Sequence, residues 1–216
     1  MRYPKLLRHG DTIGVCAPSS GVDKKYLQRL DRAHENVRVL GYKTAESPSV
    51  RMLENKIEQK DAAKKNNCVS ADAQTRAAEL MSMYEDPKVA AIIPPWGGEF
   101  LMDMLPFLDF DLLSGLPPKW LSGYSDITTL TFALTLRCDM ATLHGSNFLN
   151  MGYERIHESD QFAFTAMSET ETVCAAQNCG AASTYGAKPK CFLILSPKKP
   201  NGKFWAEANH VNSRGA

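Results

Sequence analysis

The stretch Lys119–Leu130, KWLSGYSDITTL, joins two different periodicities of apolar residues. Residues 120–123 form a short apolar run typical of a buried strand, and from 127 to 136 apolar residues recur at helical spacing. Ser125 lies at the junction. A strand that leads directly into a helix indicates an α/β fold. The same junction raises the question of whether Ser125 is a nucleophile on a turn or the cap of the helix.

Segments of these two kinds alternate along most of the chain. Strand-like runs, the weakest at 42–47, occupy 12–17, 42–47, 88–95, 120–123 and 140–147. Helical spacing occupies 24–40, 71–84, 100–113, 127–136 and 160–172, with an interruption at Pro106. Strands that alternate with helices pair in parallel through crossover connections, and apolar runs suit a sheet covered on both faces. The sequence predicts a doubly wound, flavodoxin- or Rossmann-like parallel sheet over residues 1–165.

Residues 166–216 have a different character. One strand-like run, at 191–195, stands among Pro, Gly and Asn residues. A segment this short cannot bury a core of its own. We expect it to hold a linker and only the start of a second α/β domain.

The overall composition argues against several functional classes. The 216 residues carry a net charge of +1, without clusters of Lys and Arg among aromatic residues, which disfavours a nucleic-acid partner. No apolar run reaches the ~20 residues of a membrane-spanning helix. The first residues show no basic stretch followed by an apolar segment, so we expect no secretory signal. The 6 cysteines form no Cys-x-x-Cys pair, which favours reduced thiols. We expect a cytoplasmic protein without a metal site.

Four predicted loops follow the carboxyl ends of strands. They are APSSG at 17–21, PPWGGE at 94–99, GYSD at 123–126 and LHGSN at 143–147. In an open parallel sheet, ligands bind beyond these strand ends. The four loops together predict one site at that edge of the sheet.

Ser125 has two interpretations at this edge. On a sharp turn its hydroxyl would be exposed, with the N–H groups of a helix N-terminus ready to stabilise an oxyanion. Gly123 removes a side chain where the turn is tightest. The stretch lacks the Gly-x-Ser-x-Gly pattern of the common hydrolase elbow, and serine is also a routine helix N-cap. The residues alone leave both roles open.

The other loops contain further candidates with equally open roles. Gly97 and Gly98 would let the main chain approach a ligand and offer N–H groups, or they form a plain turn. Trp96 beside them would line a pocket or simply pack. His144 is the best-placed histidine for a general base, although a histidine at a strand end often only hydrogen-bonds to nearby backbone.

Four motifs resemble, in order and spacing, the LD-carboxypeptidase family of serine peptidases. They are GDTIGVCAPSSG at 10–21, IIPPWGGEFLMDMLPFLDFD at 92–111, PKWLSGYSDITTL at 118–130 and ATLHGSN at 141–147. The resemblance covers residues 3–167 and is nearest to the branch that includes the microcin C immunity peptidases. Four ordered motifs are far more specific than any one of them.

The resemblance implies a role for each part of the predicted site. Ser125 corresponds to the nucleophile, and the N–H groups of Gly98 and Asp126 correspond to the oxyanion hole. In this family the His144 position is better interpreted as part of the pocket wall. The substrate-binding positions are then Trp96, Gly97, Glu99 and His144.

The resemblance also implies a class of reaction. Members of the family are cytoplasmic, often homodimeric, and use no metal or cofactor. They cleave amide bonds next to a free carboxylate or a comparable small group. Their substrates are murein tetrapeptides, cut before the terminal D-alanine in peptidoglycan recycling, or aminoacyl nucleotides of the microcin C type.

Two members of the family's catalytic triad have no counterpart in this sequence. The family takes a glutamate and a histidine from a C-terminal domain, and no motif after Met167 matches either; Glu207 and His210 stand in a different context, and we assign them no role. A serine without its base loses most of its rate, on the order of a millionfold in a well-studied case. We expect an impaired hydrolase. The alternative is a binding module, or a degenerate remnant, that keeps the pocket without turnover.

Overall fold

The computed structural model describes residues 1–51 and 69–168 and the strand Leu193–Leu195. The strands are β1 Thr12–Val15, β2 Lys43–Glu46, β3 Val89–Ile92, β4 Trp120–Gly123, β5 Thr142–His144 and β6 Leu193–Leu195. The helices are α1 Leu27–Val39, α2 Ala73–Glu85, α3 Leu101–Met104, α4 Phe110–Gly115, α5 Ile127–Cys138 and α6 Glu158–Ser168. Short 3-10 segments cover Lys24–Tyr26, Leu105–Phe107 and Phe148–Gly152.

The strands form one sheet in the order β2-β1-β3-β4-β5-β6. The strands β1 to β5 pair in parallel, which confirms the predicted parallel sheet. The order reverses between β1 and β3, so the chain leaves these strands in opposite directions and opens a crevice at their carboxyl ends. The loops at 17–21 and 94–99 flank this crevice.

Helices cover both faces of the sheet. One core contains α1, α6 and the segment Phe148–Gly152, and the other contains α2, α3, α4 and α5. Successive strand residues face opposite sides: Trp120 belongs to the first core and Leu121 to the second. The sheet is therefore doubly wound, as predicted.

The region around Pro106 shows why its helix is interrupted. The chain forms α3, then the 3-10 segment Leu105–Phe107, then α4. Proline has no N–H to continue the α-helical ladder. Asp109 restarts the helix by accepting a hydrogen bond from the Leu112 N–H at 2.8 Å.

The final described elements add detail to the domain organisation. The strand β6 pairs with β5 antiparallel and so extends the same sheet. The helix α6 runs across the predicted boundary between 165 and 166, and Met167 is buried in the first core. The boundary and the second domain remain predictions, because most of 166–216 lies outside the described residues. No helix in the described part of the chain is long and apolar enough to cross a membrane.

Candidate active site

Ser125 forms the turn between β4 and α5. Its backbone is left-handed, with φ 64°, a conformation that costs a non-glycine residue roughly 1–2 kcal/mol and is found at functional sites. The side chain is exposed. The helix α5 has no side-chain cap, and among the described residues the Ser125 hydroxyl makes no hydrogen bond. The structure therefore shows an exposed hydroxyl on a strained turn, not the side chain of a helix cap.

Gly123 allows this turn to be tight. A Cβ atom at Gly123 would lie 2.5 Å from Ile127 Cγ2 and 2.9 Å from Asn147 Oδ1. Real Cβ atoms do not approach neighbours this closely. The buried Asn147 also accepts a hydrogen bond from the Tyr124 N–H at 3.1 Å. The loop after β5 thus supports the turn that carries Ser125.

The glycine pair lies directly beside Ser125. A Cβ atom at Gly97 would lie 3.1 Å from Ser125 Oγ and 3.1 Å from the Asp126 nitrogen. A side chain at Gly97 would therefore fill the space next to the hydroxyl. Glycine leaves this space open for a reacting group.

Two main-chain N–H groups of this region are unengaged. Within residues 1–51 and 69–168, neither the Gly98 N–H nor the Asp126 N–H donates a hydrogen bond to another residue. Buried or half-buried N–H groups are usually paired. Both residues are sequence neighbours of groups that meet at this site, Gly97 and Ser125, and a developing oxyanion requires free donors of this kind.

The remaining predicted contact residues take different positions. Trp96 is half-buried, and its indole N–H donates to Gly21 O at 3.0 Å, so it joins the loops after β3 and β1. Glu99 is exposed. His144 Nδ1 lies 3.3 Å from Thr128 Oγ1, on the first turn of α5. Among the described residues no histidine hydrogen-bonds to Ser125.

Sequence reasoning missed four residues that organise the site: Ser19, Ser20, Arg76 and Asn147. Ser19, Ser20 and Asn147 lie in loops that the sequence did single out. No sequence pattern indicated that Arg76 is part of the site, because an arginine on an amphipathic helix is usually exposed. Here only 2% of Arg76 is exposed.

Arg76 lies beneath the loops after β1 and β3. Its guanidinium donates to Pro18 O and to Phe100 O, both at 2.7 Å. Burial lowers the pKa of Arg76, and the carboxylates of Asp103, Asp72 and Asp126 act in the opposite direction. The positive charge is thus held by carbonyl oxygens and nearby carboxylates.

The histidine and glutamate considered in the C-terminal segment, His210 and Glu207, lie outside the described residues. In the described ranges, no three His, Cys, Asp or Glu side chains are placed to hold a metal ion.

Comparison with known proteins gives a consistent family. A family model described as the LD-carboxypeptidase N-terminal domain matches residues 13–145. A putative carboxypeptidase of Vibrio cholerae is 30% identical over 145 residues, which cover 67% of this chain and 40% of that protein. A probable murein peptide carboxypeptidase of Bacillus subtilis is 29% identical over 170 residues, which cover 78% of this chain and 48% of that protein. The chain spans less than half the length of these curated relatives.

Solved structures agree with this result. One is a protein from Bacillus anthracis that is like MccF, the microcin C7 self-immunity protein. It superposes with a TM-score of 0.68 and 25% identity, over 78% of this chain and 47% of that chain. MccF in complex with aspartyl sulfamoyl adenosine gives a TM-score of 0.67 over 89% of this chain and 57% of that chain. At 19% identity, the second likeness shows the fold alone.

Proposed function

Because this chain belongs to the LD-carboxypeptidase family, we propose that it is a serine-type amide hydrolase with Ser125 as its nucleophile. One observation carries the proposal. The exposed Ser125 hydroxyl lies beside the bare Gly97 backbone, and within residues 1–51 and 69–168 the N–H groups of the adjoining Gly98 and Asp126 make no hydrogen bond. This is the arrangement that acyl transfer to a hydroxyl needs.

The proposed reaction has two steps. Ser125 Oγ attacks the carbonyl carbon, and the Gly98 and Asp126 N–H groups stabilise the oxyanion that forms. The C–N bond then breaks, the amine leaves with a proton, and water hydrolyses the resulting ester. Among the described residues no histidine hydrogen-bonds to Ser125, so we assign the removal of the serine proton to none of them.

The proposed substrate is a small peptide whose scissile amide lies next to a free carboxylate. The similarity to a protein named as a probable murein peptide carboxypeptidase supports a murein tetrapeptide with an L,D bond. The similarity to the curated microcin C7 self-immunity protein MccF of Escherichia coli, 27% identical over 136 residues, supports an aminoacyl nucleotide, the ligand class of a solved MccF complex, as the second candidate. A cytoplasmic location, a homodimer, and a role in peptidoglycan recycling or microcin immunity remain predictions.

A second function, of a different class, is a binding module without turnover. The observation that favours it is the contact of His144 with Thr128 rather than with Ser125. A hydroxyl without a base is a poor nucleophile, although the pocket around it can still hold a ligand.

A fluorophosphonate probe tests the proposal, because it reacts with activated serines. We expect mass spectrometry of the intact protein to show one adduct, which peptide mapping places on Ser125. The Ser125→Ala variant should give none. A folded wild-type protein that remains unlabelled would contradict an activated serine.

Two compounds then distinguish the substrates and the binding module. We expect release of D-alanine from a murein tetrapeptide, or of aspartate from an aspartyl adenylate analogue with a cleavable amide. Calorimetric binding of either compound without release would identify a binding module. Absence of both binding and release would exclude both functions for this chain.

A further inference from the structure

We infer that Asp126, Ser19 and Arg76 form a clamp that fixes the Gly98 N–H relative to Ser125. The clamp is defined by the Asp126 carboxylate, the Ser19 hydroxyl and the Arg76 guanidinium. Its importance for catalysis rests on the proposed function, but its geometry does not. These three are positioning residues, since they act on the proposed oxyanion donors through other groups.

The Asp126 carboxylate joins three segments. Asp126 stands at the start of α5 but does not cap that helix with its side chain. Its Oδ2 atom instead accepts hydrogen bonds from Ser19 Oγ at 2.5 Å and from the Leu101 N–H at 3.1 Å. Asp126 thus links its own turn to the loop after β1 and to the first residue of α3.

Ser19 packs directly against Gly98. A Cβ atom at Gly98 would lie 2.3 Å from Ser19 Oγ and 2.3 Å from Ser20 Oγ. Ser19 is completely buried, and its hydroxyl accepts a hydrogen bond from the Phe100 N–H at 3.3 Å while it donates to Asp126. Ser19 therefore supports the glycine turn at Gly98, whereas the position of a Gly97 Cβ atom lies beside Ser125.

Arg76 binds the backbone of both loops that the clamp joins. One nitrogen, Nη1, donates both to Pro18 O and to Phe100 O, while Nε donates to Ala71 O at 3.0 Å. Pro18 directly precedes Ser19, and Phe100 follows the Gly98–Glu99 pair. A single buried nitrogen therefore holds the two loops together. Lysine lacks the planar arrangement of donors that serves three carbonyl groups at once.

The clamp explains how two donors from different loops can share one target. Gly98 follows β3 and Asp126 follows β4, so no local sequence rule sets the distance between their N–H groups. Asp126 offers one N–H from its main chain and fixes the position of the other through its side chain. Oxyanion stabilisation depends on such preorganisation, and a misplacement of about 1 Å removes much of it.

The test compares Ser19→Ala with Ser47→Ala. The hydroxyl of Ser47, like that of Ser19, is buried and donates to a carboxylate at 2.5 Å, but its acceptor is Glu79, at the β2 edge of the sheet. Amide hydrogen exchange is followed by NMR at Phe100 and Leu101 and at β3. Labelling of Ser125 by the fluorophosphonate is timed in the same variants.

We expect Ser19→Ala to accelerate exchange at Phe100 and Leu101 by about tenfold or more relative to β3, the equivalent of one hydrogen bond. The rate of Ser125 labelling should fall by about tenfold or more. Ser47→Ala should leave both unchanged. Asp126→Asn keeps the main-chain N–H but weakens the acceptor, so it should shift both measurements in the same direction even where Ser19→Ala folds poorly.

The outcomes separate the clamp from the proposed function. Unchanged exchange at Phe100 and Leu101 in both variants would overturn the clamp, whatever the labelling. Faster exchange with unchanged labelling would show a structural contact that does not position the donors, and would overturn the inference as well. If the wild-type protein is not labelled at all, the proposed function fails, while the exchange data still decide whether the clamp exists.

Discussion

At Gly98 the main chain passes very close to the loop after β1. Its φ of 157° is rare for residues with a side chain, and the hydroxyls of Ser19 and Ser20 occupy the space that a Cβ atom would need. Both facts require glycine at this position. The sequence analysis predicted that the glycine pair lets the main chain approach a ligand. At Gly98 the structure shows a close approach to the protein's own loop, and the approach to a ligand stays a prediction.

We expect Gly98→Ala to lower the free energy of unfolding by about 1–3 kcal/mol, because the new methyl group overlaps two buried hydroxyls. Urea unfolding followed by circular dichroism measures the change. Gly115→Ala is the matched control, since nothing lies within 4 Å of the position of its Cβ atom. That variant should be neutral or up to about 1 kcal/mol more stable. Equal effects of the two variants would show that the turn relaxes freely.

At the scale of elements, three loops support one another at the carboxyl edge of the sheet. The Phe148 and Leu149 N–H groups, after β5, donate to Pro94 O and Pro95 O, after β3, at 2.8 and 3.0 Å. Asn147 then supports the turn between β4 and α5 through Tyr124. The Ser125 turn is therefore held by a neighbouring strand's loop as well as by α5.

We expect Asn147→Ala to destabilise the protein by about 1–3 kcal/mol, because the Tyr124 N–H loses the Asn147 acceptor in a partly buried place. Labelling of Ser125 should slow as well, since the turn is released. Asn150→Ala is the control: Asn150 is also buried, but its amide makes a longer bond, 3.4 Å, to Asp160. Unfolding curves and labelling rates that do not distinguish the two variants would argue against support of the turn by Asn147.

At the scale of the whole molecule, a charged network ties the β2 edge of the sheet to α1. Glu46 lies 2.8 Å from His34 Nε2 and accepts from Arg51 Nε at 2.8 Å, and Arg51 in turn pairs with Asp31 at 2.7 Å. Burial by itself would raise the pKa of Glu46. The hydrogen bonds from His34 and Arg51, with the attraction of their charges, outweigh burial and hold that pKa below its ordinary value.

This network predicts a loss of stability in acid. A carboxylate whose pKa is lowered by folding stabilises the native state above its unfolded pKa and loses that contribution as the pH falls through the folded pKa. Glu46→Gln should therefore be less stable at pH 7 and should lose less stability than the wild type below about pH 5. Urea unfolding at a series of pH values measures this. Glu35→Gln, which breaks an exposed ion pair with Arg38, should follow the wild-type pH profile.

Much of this fold is visible in local sequence patterns. The run TIGV and the run VAAI are apolar and short, and both are buried strands in the structure. Even the weak pattern at 42–47 marks a strand, β2. Such patterns succeed because a strand buried on both faces leaves no room for polar side chains. The antiparallel partner of β5 could not be predicted, since pairing direction depends on where the chain returns, which the strand's own residues do not encode.

The sequence by itself determined the alternation of strands and helices, the edge of the sheet where four loops meet, and the serine and glycines found there. Only the tertiary structure decided what holds them in place. The contacts of Asp126 with Ser19 and of Arg76 with Phe100 join residues that are 107 and 24 positions apart in the chain. Local patterns report which face of an element is buried. A hydrogen bond between two polar groups that are far apart in the sequence depends on the packing of the whole sheet. The pattern of a single segment therefore does not predict it.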